Sequence, residues 1–184
     1  MIPWPAPPLR LVPVRERHLP ELQRFASDPK VAATCNLPHP YPDNGALQFF
    51  KHINSPRLKG VRYTFAIVEG GQFRGICGIG REYGEESAGE VGYWVALPFW
   101  GRGLATAATA LLVDFGFRKM RLERQFARCL TANPASRKVL ENNGFRYTRT
   151  APEQFAKWPD PQPTDFLELT RDQWLEWKKQ VKSR

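Results

Sequence analysis

From Val61 to Val68 apolar and polar residues alternate, which places Val61, Tyr63, Phe65 and Ile67 on one face and predicts a β-strand. Glu69-Gly70-Gly71-Gln72 then turns the chain back into Phe73 to Gly80, so the two runs read as a hairpin. A polar, glycine-bearing loop is expected from Arg81 to Gly89, and a third antiparallel strand from Glu90 to Ala96. Ahead of this meander, Leu9 to Val14 reads as a first strand, with Pro13 placing it near an edge or a bulge. A short helix over Arg17 to Ser27 turns Leu19, Leu22, Phe25 and Ala26 inward. Another is expected from Gly45 to Asn54, capped by Asp43 or Asn44. Between them, the alternating prolines of Cys35 to Pro42 impose an extended or turning backbone.

After Pro98 the pattern changes. Leu104 to Phe117 is rich in alanine and carries Leu104, Ala108, Leu111, Leu112 and Phe115 near one face, which predicts a helix. Gln125 to Leu130 is the next strand. Asn133-Pro134 opens a further helix with a capping side chain and a proline at its first position, and Gly144 closes it. Phe145 to Arg149 and Phe166 to Leu169 are two last strands, joined by a long Pro-rich loop. Thr170-Arg171-Asp172-Gln173 forms a capping box for a terminal helix bearing Trp174 and Trp177. The whole reads as a mixed α/β domain over residues 9–184 with one central sheet, preceded by a loose Pro-rich arm, residues 1–8.

Composition narrows the function. The 184 residues are 42% hydrophobic, enough for one packed core and too many for a disordered chain. No apolar run reaches the about 20 residues that span a bilayer, and the start lacks the pattern of a secretory signal. A cytoplasmic protein without a membrane partner is the expectation. Cys35, Cys77 and Cys129 are widely spaced, and neither they nor His18, His39 and His52 show metal-ligand spacing, so no metal is expected. The formal charge of +9 raises the question of nucleic acid. The basic residues are scattered, however, with no nucleic-acid motif, which favours a surface that draws in a polyanionic ligand or an acidic partner.

The chemistry concentrates where the strand ending at Ala96 is followed by Gly101-Arg102-Gly103 and a helix start. Glycines allow close approach of the backbone, and a helix N-terminus offers unpaired N–H groups to phosphate. By itself such a segment is equally a tight turn. Gly101 to Thr106 also resembles a dinucleotide-binding fingerprint, with Glu123 about 20 residues downstream. Against it, Glu123 falls at the start of the next strand rather than its end. The preceding strands also form a meander instead of βαβ units.

Glu90-Val91-Gly92-Tyr93-Trp94-Val95 with Trp100-Gly101-Arg102-Gly103-Leu104-Ala105-Thr106 resembles the cofactor motif of the GNAT superfamily of N-acetyltransferases, in its RimJ/RimL-type branch. Asn133-Pro134-Ala135-Ser136 and Val139 to Phe145 resemble the branch's second signature, in the right order. The resemblance implies a single-domain GNAT fold, a mostly antiparallel sheet with splayed central strands, and acetyl-CoA as donor substrate. It implies that Arg102, Gly103, Leu104, Ala105 and Thr106 hold the pyrophosphate. Tyr93, Val95 and Leu97 would pair by backbone with the pantetheine arm, and an N–H near Trp94 or Val95 would stabilise the thioester oxygen. Asn133 would hydrogen-bond the pantetheine, cap its helix, or do both.

The general acid that many relatives take from a tyrosine falls here on Leu140, which cannot serve. The resemblance moves that role to Ser136, whose plain alternative is a serine bonding its own helix start. Glu90 is implied as the base, with Glu85 and Glu86 as substitutes; a surface glutamate at a strand start is its plain alternative. Asn36, His39 and Tyr41 fall where the family borders its acceptor, and Pro152 to Pro163, with Phe155 and Trp158, would form the opposite wall. The acceptor so implied is a peptide or protein N-terminal amine. A small-molecule amine (antibiotic, polyamine or amino acid) is the next reading, and a non-catalytic acyl-CoA sensor the third. A monomer or homodimer is expected.

Overall fold

In the computed structural model, which describes residues 9–182, the alternating and helical patterns resolve into one seven-stranded sheet in the order β1-β2-β3-β4-β5-β7-β6. The expected arm, residues 1–8, lies outside the described residues. The strands are β1 (Leu9–Pro13), β2 (Arg62–Glu69), β3 (Gln72–Glu82), β4 (Glu85–Val95), β5 (Arg124–Leu130), β6 (Arg146–Glu153) and β7 (Gln162–Thr170). All neighbours are antiparallel except β4 and β5. The helices are α1 (Leu19–Ala26), α2 (Pro29–Thr34), α3 (Gly45–Ile53), α4 (Leu104–Arg118), α5 (Pro134–Glu141) and α6 (Arg171–Lys182). The architecture is the mixed α/β sheet expected from the sequence, flanked by helices on both faces.

The two faces carry separate cores. On one, Leu104, Ala108 and Leu112 of α4 pack on Ile67, Ile79 and Val91 of the sheet. On the other, Leu22, Phe25 and Ala26 of α1 meet Ala66, Phe73 and Ile76. Leu111, expected inward, is instead 44% exposed, because the buried stripe of α4 passes through Leu112 and Val113. Phe115 lies half-buried, its ring edge-on to Tyr63 and Phe65 at centroid distances of 5.0 and 5.2 Å. Cys77 and Cys129 are buried among apolar neighbours.

Three sequence expectations change. The loop expected at Arg81 to Gly89 is a continuation of β3 and β4 around a tight turn at Tyr83 and Gly84. Its charges are matched across strands: Arg124 reaches Glu85 at 2.7 Å, Glu82 at 3.2 Å and Glu168 at 2.9 Å. A polar segment thus forms sheet at the surface. The last two strands extend beyond their apolar centres, where Thr150 Oγ1 on β6 donates to Asp165 Oδ1 on β7 at 2.6 Å, and the loop between them shortens to residues 154–161. The extra helix α2 is too short for a periodic signal. It is started by Pro29 and by Asp28, whose side chain accepts from the Lys30 N–H at 2.8 Å. At α3, Asn44 holds the cap position but makes no side-chain cap bond; its Oδ1 accepts from Gln48 Nε2 at 2.6 Å. The Thr170 capping box forms as read, with Gln173 Oε1 accepting from Thr170 N and Thr170 Oγ1 from Gln173 N.

Candidate active site

The parallel pair at the centre of the sheet is incomplete. β4 and β5 pair only at Ala88 with Arg124, Gly89 with Gln125 and Glu90 with Phe126. Beyond Glu90 the strands part, although β4 continues to Val95 and β5 to Leu130. Ala96 N donates to Arg74 O, so by the two-residue period Trp94 and Gly92 face β3 while Tyr93 and Val95 face the gap. Their main-chain groups are therefore available to an extended ligand lying in it. One is already engaged: Trp100 Nε1 donates to the Val95 carbonyl at 2.6 Å. Leu97, expected on the strand, instead opens a 3-10 turn, Leu97–Phe99, because Pro98 ends the ladder.

The gap leads to the start of α4. Gly101 and Gly103 sit at φ +72° and +74°, the left-handed region, where a side chain would be strained. Gly103 caps α4 without any side-chain bond. The first main-chain bond into the helix is Ala107 N to Gly103 O, so the N–H groups of Leu104, Ala105 and Thr106 precede it. These donors at the positive end of a fifteen-residue helix fit a pyrophosphate. The loop is anchored by a residue that sequence reading missed. Glu69, 2% exposed, accepts from Arg102 Nη2 at 3.0 Å and from Arg74 Nε at 3.1 Å. The Arg102 side chain is therefore an anchor of the loop. Glu69 gave no signal, since it stands at a hairpin turn where a glutamate is ordinarily solvated.

At the far side of the gap, Asn133 Oδ1 accepts from Ser136 N at 3.1 Å, and its Nδ2 donates to the Thr34 carbonyl at 3.0 Å. It caps α5 and ties that helix to α2. The Tyr93 hydroxyl lies 3.0 Å from both Ser136 Oγ and Ser136 O. Burial pushes the Tyr93 phenol well above its ordinary value, so it stays protonated. Cys129 adjoins Ser136, and burial with the nearby Asp165 carboxylate pushes its thiol up to about 11. Leu140, where many relatives of the resembled family carry tyrosine, is 1% exposed in the core. The Tyr93 side chain brings a phenol to the same helix from the opposite wall; the sequence alone suggested only a backbone role for it.

Glu90 stands where the strands part, but it is not free. Its Oε1 accepts from Arg128 Nη2 at 2.8 Å, and Arg128 Nη1 also pairs with Glu153 at 2.9 Å. Glu85 is held by Arg124 and Glu86 is exposed near the start of β4, so neither adjoins the gap as Glu90 does.

The acceptor-side residues divide. Asn36 and His39 are exposed, with no side-chain hydrogen bond among the described residues. Tyr41 packs into the second core, so close to Gly45 that a Cβ there would come within 2.6 Å of the ring, and burial pushes its phenol up to about 12. It supports the loop rather than lining an open cleft. Lys157, in the β6–β7 loop, donates to the carbonyls of Ala32 and Cys35 and lies 4.0 Å over the Trp158 ring. The expected opposite wall thus clamps the end of α2, a link over more than a hundred residues that no local pattern could reveal.

A sheet that parts beside an uncapped helix N-terminus defines a class, the acyl-CoA-dependent acyltransferases. The acetyltransferase (GNAT) domain family matches residues 8–146, and the chain belongs to that family as an acetyl-CoA-dependent acyltransferase. It is 31% identical to the uncharacterized N-acetyltransferase p20 of Bacillus licheniformis, over 68% of this chain and 71% of that protein. Mycobacterium smegmatis RimJ, solved in complex with a CoA disulfide, superposes with a TM-score of 0.78 at 26% identity, covering 92% of this chain and 89% of that one. Spermidine N-acetyltransferase from Vibrio cholerae, solved with CoA and spermine, shares the fold with a TM-score of 0.77 at 16% identity, covering 91% and 98%.

Proposed function

We propose that this enzyme transfers the acetyl group of acetyl-CoA directly to the N-terminal amine of a peptide or protein. The observation that carries the donor side is the gap opened beyond Glu90, bounded by main-chain groups of Tyr93 and Val95, the Ser136 hydroxyl and the bare start of α4. The Val95 N–H would face the thioester oxygen and stabilise the negative charge that develops there. The Tyr93 hydroxyl donates to the Ser136 carbonyl, so its oxygen can accept from Ser136 Oγ and orient the serine. The serine proton would pass to the departing sulfur and be replaced, through water, by the proton taken from the ammonium. Glu90, oriented by Arg128, would take a proton from the acceptor ammonium, directly or through water. Occupancy by the pantetheine arm would require the Trp100 indole to share or release the Val95 carbonyl.

For the acceptor, the likeness to RimJ supports a protein amine. The likeness to a spermidine N-acetyltransferase raises a polyamine as the second reading. The formal charge of +9 weighs against a polycation and supports an acidic or neutral peptide as the first reading. The test is acetylation of peptides with free N-termini and blocked lysines, alongside spermidine, read by mass spectrometry and initial rates. Peptide N-terminal acetylation with kcat/KM at least about tenfold above that for spermidine, equivalent to 1.4 kcal/mol of transition-state discrimination, is expected. The reverse order would make the second reading correct.

A further inference from the structure

The segment that joins β4 to α4 is fastened by the β2–β3 hairpin, with one buried carboxylate at the centre of the contact. Both Glu69 oxygens lie 3.0 Å from Arg102 Nη2, and Oε2 also accepts from Arg74 Nε at 3.1 Å. Ile67 pairs with Gly75 and Val68 with Phe73, so Arg74 between them is the extra residue of a β-bulge. The bulged residue lays its guanidinium over the Phe99 ring, 4.1 Å from the centroid, in the 3-10 turn ahead of the glycine loop. The Arg74 carbonyl accepts from Ala96 N at 2.8 Å, just past the end of β4. Gly75 permits this close approach, since a Cβ there would overlap the Trp94 carbonyl oxygen. The stretch from Ala96 to Gly103 is thus held at its start, at Phe99 and at Arg102.

Charge alone does not account for this carboxylate. A glutamate beside a loop that takes phosphate opposes the ligand, and a buried charge is costly unless it is paired. Arg74 and Arg102 pair it and leave one net positive charge there. What Glu69 adds is geometry. The glycines at 101 and 103 open many conformations to the free loop, and ordering it on binding would cost affinity. We propose that Glu69 is a positioning residue for acetyl-CoA. Through Arg102, and through Arg74 on Phe99, it sets the free loop in the form that presents the N–H groups of Leu104, Ala105 and Thr106. This role rests on the pyrophosphate lying at the start of α4, as proposed for the donor.

The test is calorimetric titration of the full chain with acetyl-CoA, with circular dichroism on each variant. Glu69→Gln and Arg102→Gln should each weaken acetyl-CoA about tenfold. The double variant should bind no more weakly than either alone, since both act through one contact. Glu69→Asp keeps the buried charge but withdraws it by one methylene. It is the second variant should Glu69→Gln fail to fold, and a similar loss is expected. Arg102→Lys keeps a charged donor opposite Glu69 and should recover most of the affinity. If the Arg102 side chain instead grips phosphate directly, freeing it from Glu69 would tighten binding. Unchanged or tighter binding in the Glu69 variants, or an additive loss in the double variant, therefore overturns the proposal. Gly103→Val separates this role from the reading beneath it. Full affinity in Gly103→Val would overturn the placement of the pyrophosphate and the role of Glu69 with it. Weakening by Gly103→Val but not by the Glu69 variants would overturn the role of Glu69 alone.

Discussion

The Tyr93 hydroxyl, carried on β4, lies 3.0 Å from both Oγ and the main-chain carbonyl of Ser136, in the first turn of α5. The two walls of the gap therefore meet at a hydrogen-bonded pair of hydroxyls where the acetyl-bearing end of the donor would lie. Ser136→Ala should lower kcat about a hundredfold if its proton reaches the sulfur. Tyr93→Phe should lower kcat about tenfold through loss of serine orientation. The double variant should be no slower than Ser136→Ala alone, because residues that act as a unit are not additive. Steady-state kinetics on the four proteins checks this; additive losses would separate the two roles.

Glu90 is paired with Arg128, which holds Glu153 as well. Glu90→Gln should depress kcat about a hundredfold while leaving the KM for acetyl-CoA unchanged, because the role proposed for it is proton removal from the acceptor. The fold should tolerate the change, since Arg128 keeps a carboxylate partner. A kcat within about twofold of the parent would remove Glu90 from the chemistry.

Gly103 caps α4 at φ +74°. Gly103→Val places a β-branched side chain in the left-handed region, at a cost of about 1–2 kcal/mol, and crowds the bare N–H groups that follow. Calorimetric titration should show acetyl-CoA affinity reduced at least about tenfold, with the far-ultraviolet circular dichroism preserved. Undiminished affinity would place the pyrophosphate elsewhere.

Asp165, 3% exposed, accepts from Thr150 at 2.6 Å, Thr131 at 3.1 Å and Arg137 at 3.1 Å. The Thr150 hydrogen bond, followed by those of Thr131 and Arg137, holds its carboxyl below the ordinary value. A depressed folded pKa means the unfolded chain binds the proton first. The stabilisation is thus complete above about pH 5 and is lost as pH falls through the carboxylate range. Asp165→Asn should be less stable than the parent at neutral pH, and the difference should shrink as the solution is acidified toward about pH 3. Denaturant titrations at a series of pH values check the sign; a difference that grows in acid contradicts it.

Much of this molecule is legible from local pattern because the relevant physics is local. Pro134 with the Asn133 cap, the Thr170 capping box and the alternation at Tyr63, Phe65 and Ile67 are interactions within a few residues of chain. The glycines before α4 belong with these, and they mark the loop proposed here for the pyrophosphate. The Glu69–Arg102 anchor, the Arg128 bridge from Glu90 to Glu153 and the Lys157 clamp on α2 could not be read in that way. Each joins residues distant in sequence through a polar contact, and a polar residue at a turn or strand edge looks the same whether it is solvated or paired. The charged β3–β4 hairpin carries no strand pattern for a related reason. Its strands are stabilised by Arg124 from β5 rather than by apolar alternation.

The early end of the β4–β5 ladder has a consequence for how long the protein survives in a cell. A sheet that parts after Glu90 leaves main-chain groups of Val91 to Val95 without a β5 partner, inside the molecule rather than at its rim. A donor lodged there binds the folded chain and has nothing comparable to hold in the unfolded one. At a free concentration about a hundredfold above its Kd, it adds about 2.7 kcal/mol to stability. The folded fraction, and with it susceptibility to proteolysis, would then follow the supply of acetyl-CoA, so that a starved cell would lose the catalyst together with its substrate.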